Sequence, residues 1–377
     1  MPARPLRILH VVFSLDAGGM ENGVVNVSAA LSPGEFEVHA CCLARGGAFV
    51  GRFPNPERVR VLGKQEGFSA STVVALARHI RQVSPDIIHT HNLGPLIYTA
   101  LAIPAAPILH GEHAELTPAE LTPRRRLIRR LLYGRVHRVH TVSDALRENL
   151  IRQGFPASKL EVIVNGVDTT RFRPGSKEDA RRETGLPSDA ILLGLVGRFG
   201  AFKRHGDLIH AFEELAPTHP GLALLFTGGG GPLEEATRSR AAASAFASRI
   251  HFAGYQADPS VWYRALDLLV IPSVNEGLSN ALIEAMASGV PALGHAGACG
   301  NREVMEDSAT GFLRDLSTPE QLRDALGAIL STAGSLPGIG RAARVAVESR
   351  FAFSRMVAGY ERVYREMAAR EGAGGLT

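Results

Sequence analysis

Short runs rich in valine, isoleucine and leucine alternate along this chain with longer stretches whose apolar residues recur every three or four positions. Such runs, bounded by turn residues, fit strands buried on both faces. The 3.6-residue period fits amphipathic helices that cover them, so the pattern predicts βαβ units and parallel sheets. In the first half the predicted strands are Ile8 to Phe13, Glu37 to Leu43, Ile87 to Thr90, Pro107 to His110 and Arg138 to Val142, with helical periodicity over Ser71 to Val83 and Asp144 to Gln153. The stretch from Asn165-Gly166-Val167-Asp168 to Pro174-Gly175-Ser176 is polar and turn-rich, and a second alternating series follows it at Ile191 to Val196, Ala223 to Thr227, Ile250 to Ala253, Leu268 to Ile271 and Pro291 to Leu293. A domain boundary belongs in that stretch. The last helical stretch, Ser354 to Ala369, carries Met356, Val357, Tyr360, Val363, Tyr364 and Met367 on one face and is predicted to pack back on the first half.

The 377 residues exceed the roughly 250 to 300 at which one hydrophobic core stops growing, which agrees with two domains. The expectation is an α/β protein with two Rossmann-like, doubly wound parallel-sheet domains, residues 1–170 and 176–350, with helix 354–369 returning to the first. Apolar residues at 45% and charged residues at 21% are ordinary for a soluble globular chain and exclude a disordered one. The cysteines Cys41, Cys42 and Cys299 are odd in number and lack metal-ligand spacing, so a reducing cytoplasm is the expected compartment. The basic start, Arg4 and Arg7 before Ile8 to Leu15, is too short and too polar for a signal peptide and reads as a first strand. No run approaches the roughly 18 apolar residues of a membrane span. A net charge of +4, without aromatic residues interleaved among basic ones, argues against a nucleic-acid partner.

In an open α/β sheet ligands bind beyond the carboxyl ends of the strands, so the segments after the predicted strands carry the candidate chemistry. After the first comes Asp16-Ala17-Gly18-Gly19-Met20-Glu21, where paired glycines let a backbone approach a phosphate, or simply make a hinge. It is not G-x-G-x-x-G, which counts against a nicotinamide or flavin site. Gly197-Arg198-Phe199-Gly200-Ala201-Phe202-Lys203-Arg204 places cations at a predicted helix start, an unfavourable arrangement unless an anion such as a diphosphate lies between them or Arg198 and Lys203 point into solvent. In Pro272-Ser273-Val274-Asn275-Glu276-Gly277-Leu278-Ser279-Asn280, Glu276 falls on the turn. Glu284 falls among Leu282, Ile283, Ala285 and Met286, where a carboxylate needs a partner such as a sugar hydroxyl or else an exposed helix face. His89-Thr90-His91-Asn92 and His110-Gly111-Glu112-His113 put four histidines near strand ends. Hydrogen bonding to a sugar or diphosphate suits them better than metal ligation, because the helix and third ligand of a zinc hydrolase are not evident. His89 and His110 also read as packed histidines.

Together the Gly18-Gly19 turn with Glu21, Asn165-Gly166-Val167-Asp168 ahead of Phe172 and Pro174, Gly197-Arg198 with Lys203, the Glu276 and Glu284 pair, Gly289-Val290-Pro291 and Gly300-Asn301-Arg302-Glu303 resemble the retaining glycosyltransferases of family 4, which have the GT-B fold. The opening segment further resembles transferases of bacterial exopolysaccharide export systems. The resemblance implies two domains facing a central cleft and a donor that is a nucleotide diphosphate sugar. Arg198 and Lys203 would hold the diphosphate, Glu284 the ribose, and Glu276 the transferred sugar, with backbone amides from Gly277, Leu278, Ser279 and Asn280. Gly18 and Gly19 would close over the phosphates. His113 matches the family's active-site histidine, with His110 close by. Leu278-Ser279-Asn280-Ala281 departs from the second glycine and proline common in that loop, which leaves the donor sugar open.

Paired cations and a helix terminus can stabilise a leaving diphosphate without a metal ion or other cofactor, so none is expected. The resemblance favours same-face attack guided by the leaving phosphate, with no assigned nucleophile, and a hexose or N-acetylhexosamine passed to a glycan or lipid-linked acceptor of a cell-surface polysaccharide. The segment 124–138, rich in arginine and leucine, reads either as a peripheral helix on anionic lipid at the inner face of the plasma membrane or as a core-packed helix with solvated arginines. Rival readings are a nucleotide-sugar epimerase, a disaccharide phosphorylase, or a catalytically dead sugar-nucleotide-binding partner.

Overall fold

The computed structural model describes residues 4–117, 120–274 and 276–374, with side chains as far as Ala369. The chain forms two compact units, Met1–Asn165 with Ser354–Thr377, and Gly166–Phe353.

In the first unit the strands are β1 (Leu6–Val12), β2 (Phe36–Cys42), β3 (Val59–Val61), β4 (Ile87–His91), β5 (Ile108–Glu112), β6 (Arg138–Thr141) and β7 (Leu160–Val162). They pair in parallel in the order β3-β2-β1-β4-β5-β6-β7. The helices between them are α1 (Gly19–Ala30), α2 (Ala70–Val83), α3 (Leu93–Leu101), α4 (Pro123–Arg135) and α5 (Asp144–Arg152). Local chemistry sets their bounds. The Ser69 hydroxyl caps α2 by accepting from the Thr72 amide, and the helix stops where Ser84 turns left-handed at φ 47°. Of its buried residues, Leu76 and Ile80 pack with Leu9, Val11, Cys41 and Ile88 of the sheet. Cys41 and Cys42 are buried free thiols whose pKa values burial pushes up to about 12, so they behave as small apolar side chains.

The second unit has β8 (Ile191–Val196), β9 (Leu222–Thr227), β10 (Ile250–Gly254), β11 (Leu268–Ile271), β12 (Ala292–His295) and β13 (Phe312–Arg314), in the order β10-β9-β8-β11-β12-β13. Around them lie α6 (Lys177–Thr184), α7 (His205–Leu215), α8 (Glu234–Ala242), α9 (Ser260–Ala265), α10 (Asn280–Ala287), α11 (Cys299–Val304), α12 (Pro319–Leu330) and α13 (Leu336–Arg350). Leu193, Leu195, Phe212, Phe226, Leu268, Leu293 and Leu326 form one core. The chain enters this unit at Gly166 and leaves it at Phe353, side by side, with Val167 bridged to Ala352. A Cβ on Gly166 would lie 2.8 Å from the Ala352 carbonyl oxygen, so this crossing needs a residue without one. The last helix, α14 (Phe353–Gly374), returns to the first unit, where Val363, Tyr364 and Met367 are buried.

Both sheets are doubly wound, and their order reverses between β1 and β4 and between β8 and β11. Those are the points where ligands bind in such sheets. The boundaries differ from the sequence expectation in ways that matter. β4 runs to His91 and β5 to Glu112, so His89, His91, His110 and Glu112 stand inside strands rather than on the loops after them. The short edge strands β3, β7 and β13 carry three residues each, too few to display a period.

Candidate active site

In the second unit the chemistry sits on turns beyond the strand ends. Past β8 the chain makes a turn at Gly197, φ 149°, and the buried Phe199 anchors it by donating its amide to the Gly230 carbonyl at 2.9 Å. The turn after β9 lies directly against this one. Gly228 has φ 132°, and a Cβ there would fall 2.3 Å from the Gly197 oxygen. Two backbones thus touch with no side chain between them.

Lys203 does not face the start of α7 as an isolated cation. Its Nζ donates to Glu276 Oε1 at 2.6 Å, with the two side chains 13% and 12% exposed. The α7 start is held instead by Arg204, which is left-handed at φ 56° and donates to Asp207 Oδ2 and to the Leu316 and Ser317 carbonyls. Arg198 is exposed and has no side-chain partner among the described residues. The arrangement is one free and one neutralised cation beside a glycine turn, rather than two cations opposing a helix.

Glu276 is fixed through its backbone, whose carbonyl accepts from the Gly300 amide at 3.2 Å and from Cys299 Sγ at 3.7 Å. A Cβ on Gly300 would fall 2.5 Å from the Gly277 oxygen, so the start of α11 closes on this loop only with glycine there. Gly277, Leu278 and Ser279 are buried and Asn280 opens α10, while Asn275 lies outside the described residues. Glu284, on α10, accepts from the Tyr263 hydroxyl at 2.7 Å. Burial pushes its pKa up to about 7, against the lowering effects of Tyr263 and Arg171. The carboxyl is therefore placed to accept hydrogen bonds when ionised and costs little when protonated.

In the first unit Gly18 caps the start of α1 and Gly19 opens it, and the Glu21 carboxylate folds back to within 2.2 Å of where a Gly18 Cβ would lie. His113 follows β5 and is partly exposed, whereas His110 is fully buried and bonded inward, Nδ1 with Thr90 Oγ1 at 2.9 Å and Nε2 with Glu112 Oε1 at 3.2 Å. Glu112 is itself buried and also accepts from Arg129 Nε at 2.9 Å and from the Tyr133 hydroxyl at 2.5 Å. Burial alone would raise the Glu112 pKa, but Arg129 and His110 outweigh it and hold the carboxylate well below its usual range.

One face of this sheet is lined by imidazoles. His10 Nδ1 lies 3.0 Å from His91 Nε2, His91 Nδ1 lies 3.0 Å from His113 Nε2, and His89 Nε2 lies 2.9 Å from His140 Nε2. His89 Nδ1 meets the Tyr364 hydroxyl of α14 at 2.8 Å. Burial pushes His113 down to about 4 and His10 to about 3, so these rings are neutral at physiological pH. His10 Nε2 and His140 Nδ1 are buried with no hydrogen-bond partner among the described residues.

Of the residues singled out by sequence, the structure joins Lys203 to Glu276, sets Gly277 to Asn280 beside them, and places Arg198 on the same turn as Lys203. The sequence reading overlooked Tyr263, His140 and the turn of Gly228, Gly229, Gly230 and Gly231. Four consecutive glycines after a strand were a usable signal for the last. Nothing local marks Tyr263 or His140.

Residues 17–171 match the family described as Glycosyltransferase Family 4, and residues 176–345 match Glycosyl transferases group 1. The D-inositol 3-phosphate glycosyltransferase of Nocardia farcinica is 29% identical over 71% of this chain and 64% of its own length, slightly under two thirds. The protein of the same name from Kribbella flavida is 28% identical over 87% of this chain and 86% of its own. Among solved structures, Anabaena HepE in complex with UDP-glucose superposes with a TM-score of 0.82 at 20% identity, covering 98% of this chain and all of that one. Sucrose-phosphate synthase of Thermosynechococcus elongatus gives 0.81 at 21% identity, over 97% and 100%. At such identities the structural likeness speaks for the fold.

Proposed function

Because the chain belongs to the family 4 glycosyltransferases and has the GT-B fold, we propose that it is a retaining, metal-independent transferase. It moves a hexose or N-acetylhexosamine from a nucleotide diphosphate sugar to a glycan or lipid-linked acceptor in cell-surface polysaccharide synthesis.

The observation that carries this reading is the Lys203–Glu276 ion pair beside the glycine turns of the second unit. An arriving diphosphate competes with Glu276 for Lys203, because a phosphate oxygen offers the ammonium a denser charge than a carboxylate. Released from Lys203, Glu276 is free to accept from a hydroxyl of the transferred sugar. Arg198 adds a second cation, and amides of Gly277, Leu278, Ser279 and Asn280 supply donors where charge develops on the leaving group. Glu284, oriented by Tyr263, accepts from the ribose hydroxyls. The first unit binds the acceptor and contributes Gly18, Gly19 and His113. His113 is preferred to His110 because the latter is fully buried with both ring nitrogens engaged. Anabaena HepE is seen with UDP-glucose, which puts uridine sugars first among donors to try.

Helix α4 supports a membrane-side acceptor. It turns Arg129 and Tyr133 inward and leaves Leu127 at 60%, Ile128 at 36% and Leu131 at 66% exposure beside the exposed Arg124, Arg125 and Arg130. Apolar residues facing out among cations fit an anionic lipid surface. Among the described residues no helix is long and apolar enough to cross a membrane, and in this reading the protein works at the cytoplasmic face.

The test is thermal stabilisation of the purified protein by UDP, GDP, ADP and their sugar conjugates. Selective stabilisation by one nucleotide, weakened in Arg198→Ala, agrees with the reading, and no shift with any of them contradicts it.

A further inference from the structure

His91, Gly111 and His140 are direct neighbours in one row across β4, β5 and β6, and His113 follows two residues after Gly111. The missing side chain of Gly111 leaves a gap into which two rings lean. A Cβ there would lie 2.6 Å from His140 Nε2 and 2.7 Å from His113 Nε2. One ring nitrogen from each of His91, His113 and His140 falls within 4.8 Å of the other two, and His91 Nδ1 and His113 Nε2 are 3.0 Å apart. Tetrahedral zinc with bonds of about 2.0–2.1 Å needs nitrogens about 3.3 Å apart, so adjustments of at most about 1.5 Å would bring all three rings onto one ion.

We propose that His91, His113 and His140 form a binding site for a divalent transition cation of the zinc class, above Gly111 at the carboxyl end of the first sheet. Three imidazoles with no carboxylate in the set suit zinc, cobalt or nickel and discriminate against magnesium and calcium. His91 is oriented as metal-bound histidines are, since its other nitrogen bonds to His10 Nδ1 at 3.0 Å. Occupancy exchanges two hydrogen bonds for metal bonds, that of His140 to His89 and that between His91 and His113. His113 is the partly exposed member, so the ion enters from its side and keeps an open position there for water. Transfer does not need this ion. Because the ion would occupy His113 Nε2, it inhibits transfer, a consequence that rests on the assignment of His113 above, whereas binding itself does not.

The experiment is titration of chelator-treated full-length protein with Co²⁺, followed by visible absorption, with Zn²⁺ as competitor. The expected result is one Co²⁺ per chain in a spectrum typical of low coordination number, displaced by Zn²⁺. Affinity should fall more than about tenfold in His140→Gln and in His113→Ala, the latter chosen because its side chain is the least buried. Gly111→Ala keeps all three rings, fills the gap, and should also abolish binding, while His219→Gln in the other unit should not alter it. Circular dichroism confirms that each variant is folded. Absence of stoichiometric Co²⁺ binding, or undiminished binding in folded His113→Ala, overturns the site. Zn²⁺ inhibition of transfer, reversed by chelator and lost in Gly111→Ala, is read separately. Its absence beside intact Co²⁺ binding overturns the inhibition and the role of His113, but not the site.

Discussion

The two units share a doubly wound sheet and differ in where they keep their polar side chains. In the second unit Arg198, Lys203 and Glu276 stand on turns past the ends of β8 and β11, while in the first His10, His89, His91 and His140 stand on the strands and Glu112 is sealed beneath α4. A turn residue can change its partner without disturbing a core. A buried strand residue does so only at a cost to the packing its hydrogen bonds belong to. Substitutions in the first unit should therefore register mainly as lost stability, and those on the second unit's turns as lost chemistry.

The largest effect expected is in the first unit. Arg129→Ala strips the buried Glu112 of its guanidinium partner, and removing one member of a buried ion pair costs about 3–5 kcal/mol. Urea unfolding at neutral pH measures it, and a loss below about 1 kcal/mol would break the contrast. Next comes Lys203→Ala, whose transfer rate should fall about 10²- to 10³-fold while stability falls less than in Arg129→Ala, because Lys203 and Glu276 are less buried than Arg129 and Glu112. Steady-state rates set beside melting curves make that comparison.

Glu284 sharpens the contrast because it belongs to the second unit but lies on a helix. Its folded pKa, about 7, is above the ordinary 4.5, so the folded state binds more protons between those values. Stability from this group is full below about pH 4.5, declines as pH rises to about 7, and is flat beyond. Glu284→Gln should gain on the wild type over that interval, by on the order of 1–3 kcal/mol. Unfolding at about pH 5 and about pH 8 tests the sign, and a difference between the two proteins that does not grow with pH contradicts it.

The contrast also explains what could be read from the chain. Both sheets and the returning helix were legible because buried parallel strands and amphipathic helices write strong periods. The turns that bring Lys203 to Glu276 were legible because each follows a buried apolar strand, β8 and β11. The imidazole face was legible only in part. His89, His91 and His113 stood out in the chain, but His10 and His140 are distant from them in sequence and meet them only through the register of β1, β4, β5 and β6. Reading β4 as ending at Thr90 and β5 at His110 also moved His91 and Glu112 onto loops, and that hid their burial. Tyr263 escaped notice because its partner is 21 residues away.

The smallest effect on folding is expected on the surface of the first unit. Replacing Leu127 and Leu131 of α4 by serine should change stability by about 0.5 kcal/mol or less, since both side chains face outward. It should nonetheless abolish co-sedimentation with anionic vesicles at low salt. Undiminished co-sedimentation, or none with the wild type, removes the membrane from the account.

The most direct measurement is transfer by Glu276→Ala from the nucleotide sugar that stabilises the protein, compared with binding of the same nucleotide. The account predicts that the variant binds nucleotide with about the wild-type affinity or better, since Lys203 is freed, and loses transfer. Unchanged turnover in Glu276→Ala would contradict the role given to the Lys203–Glu276 pair.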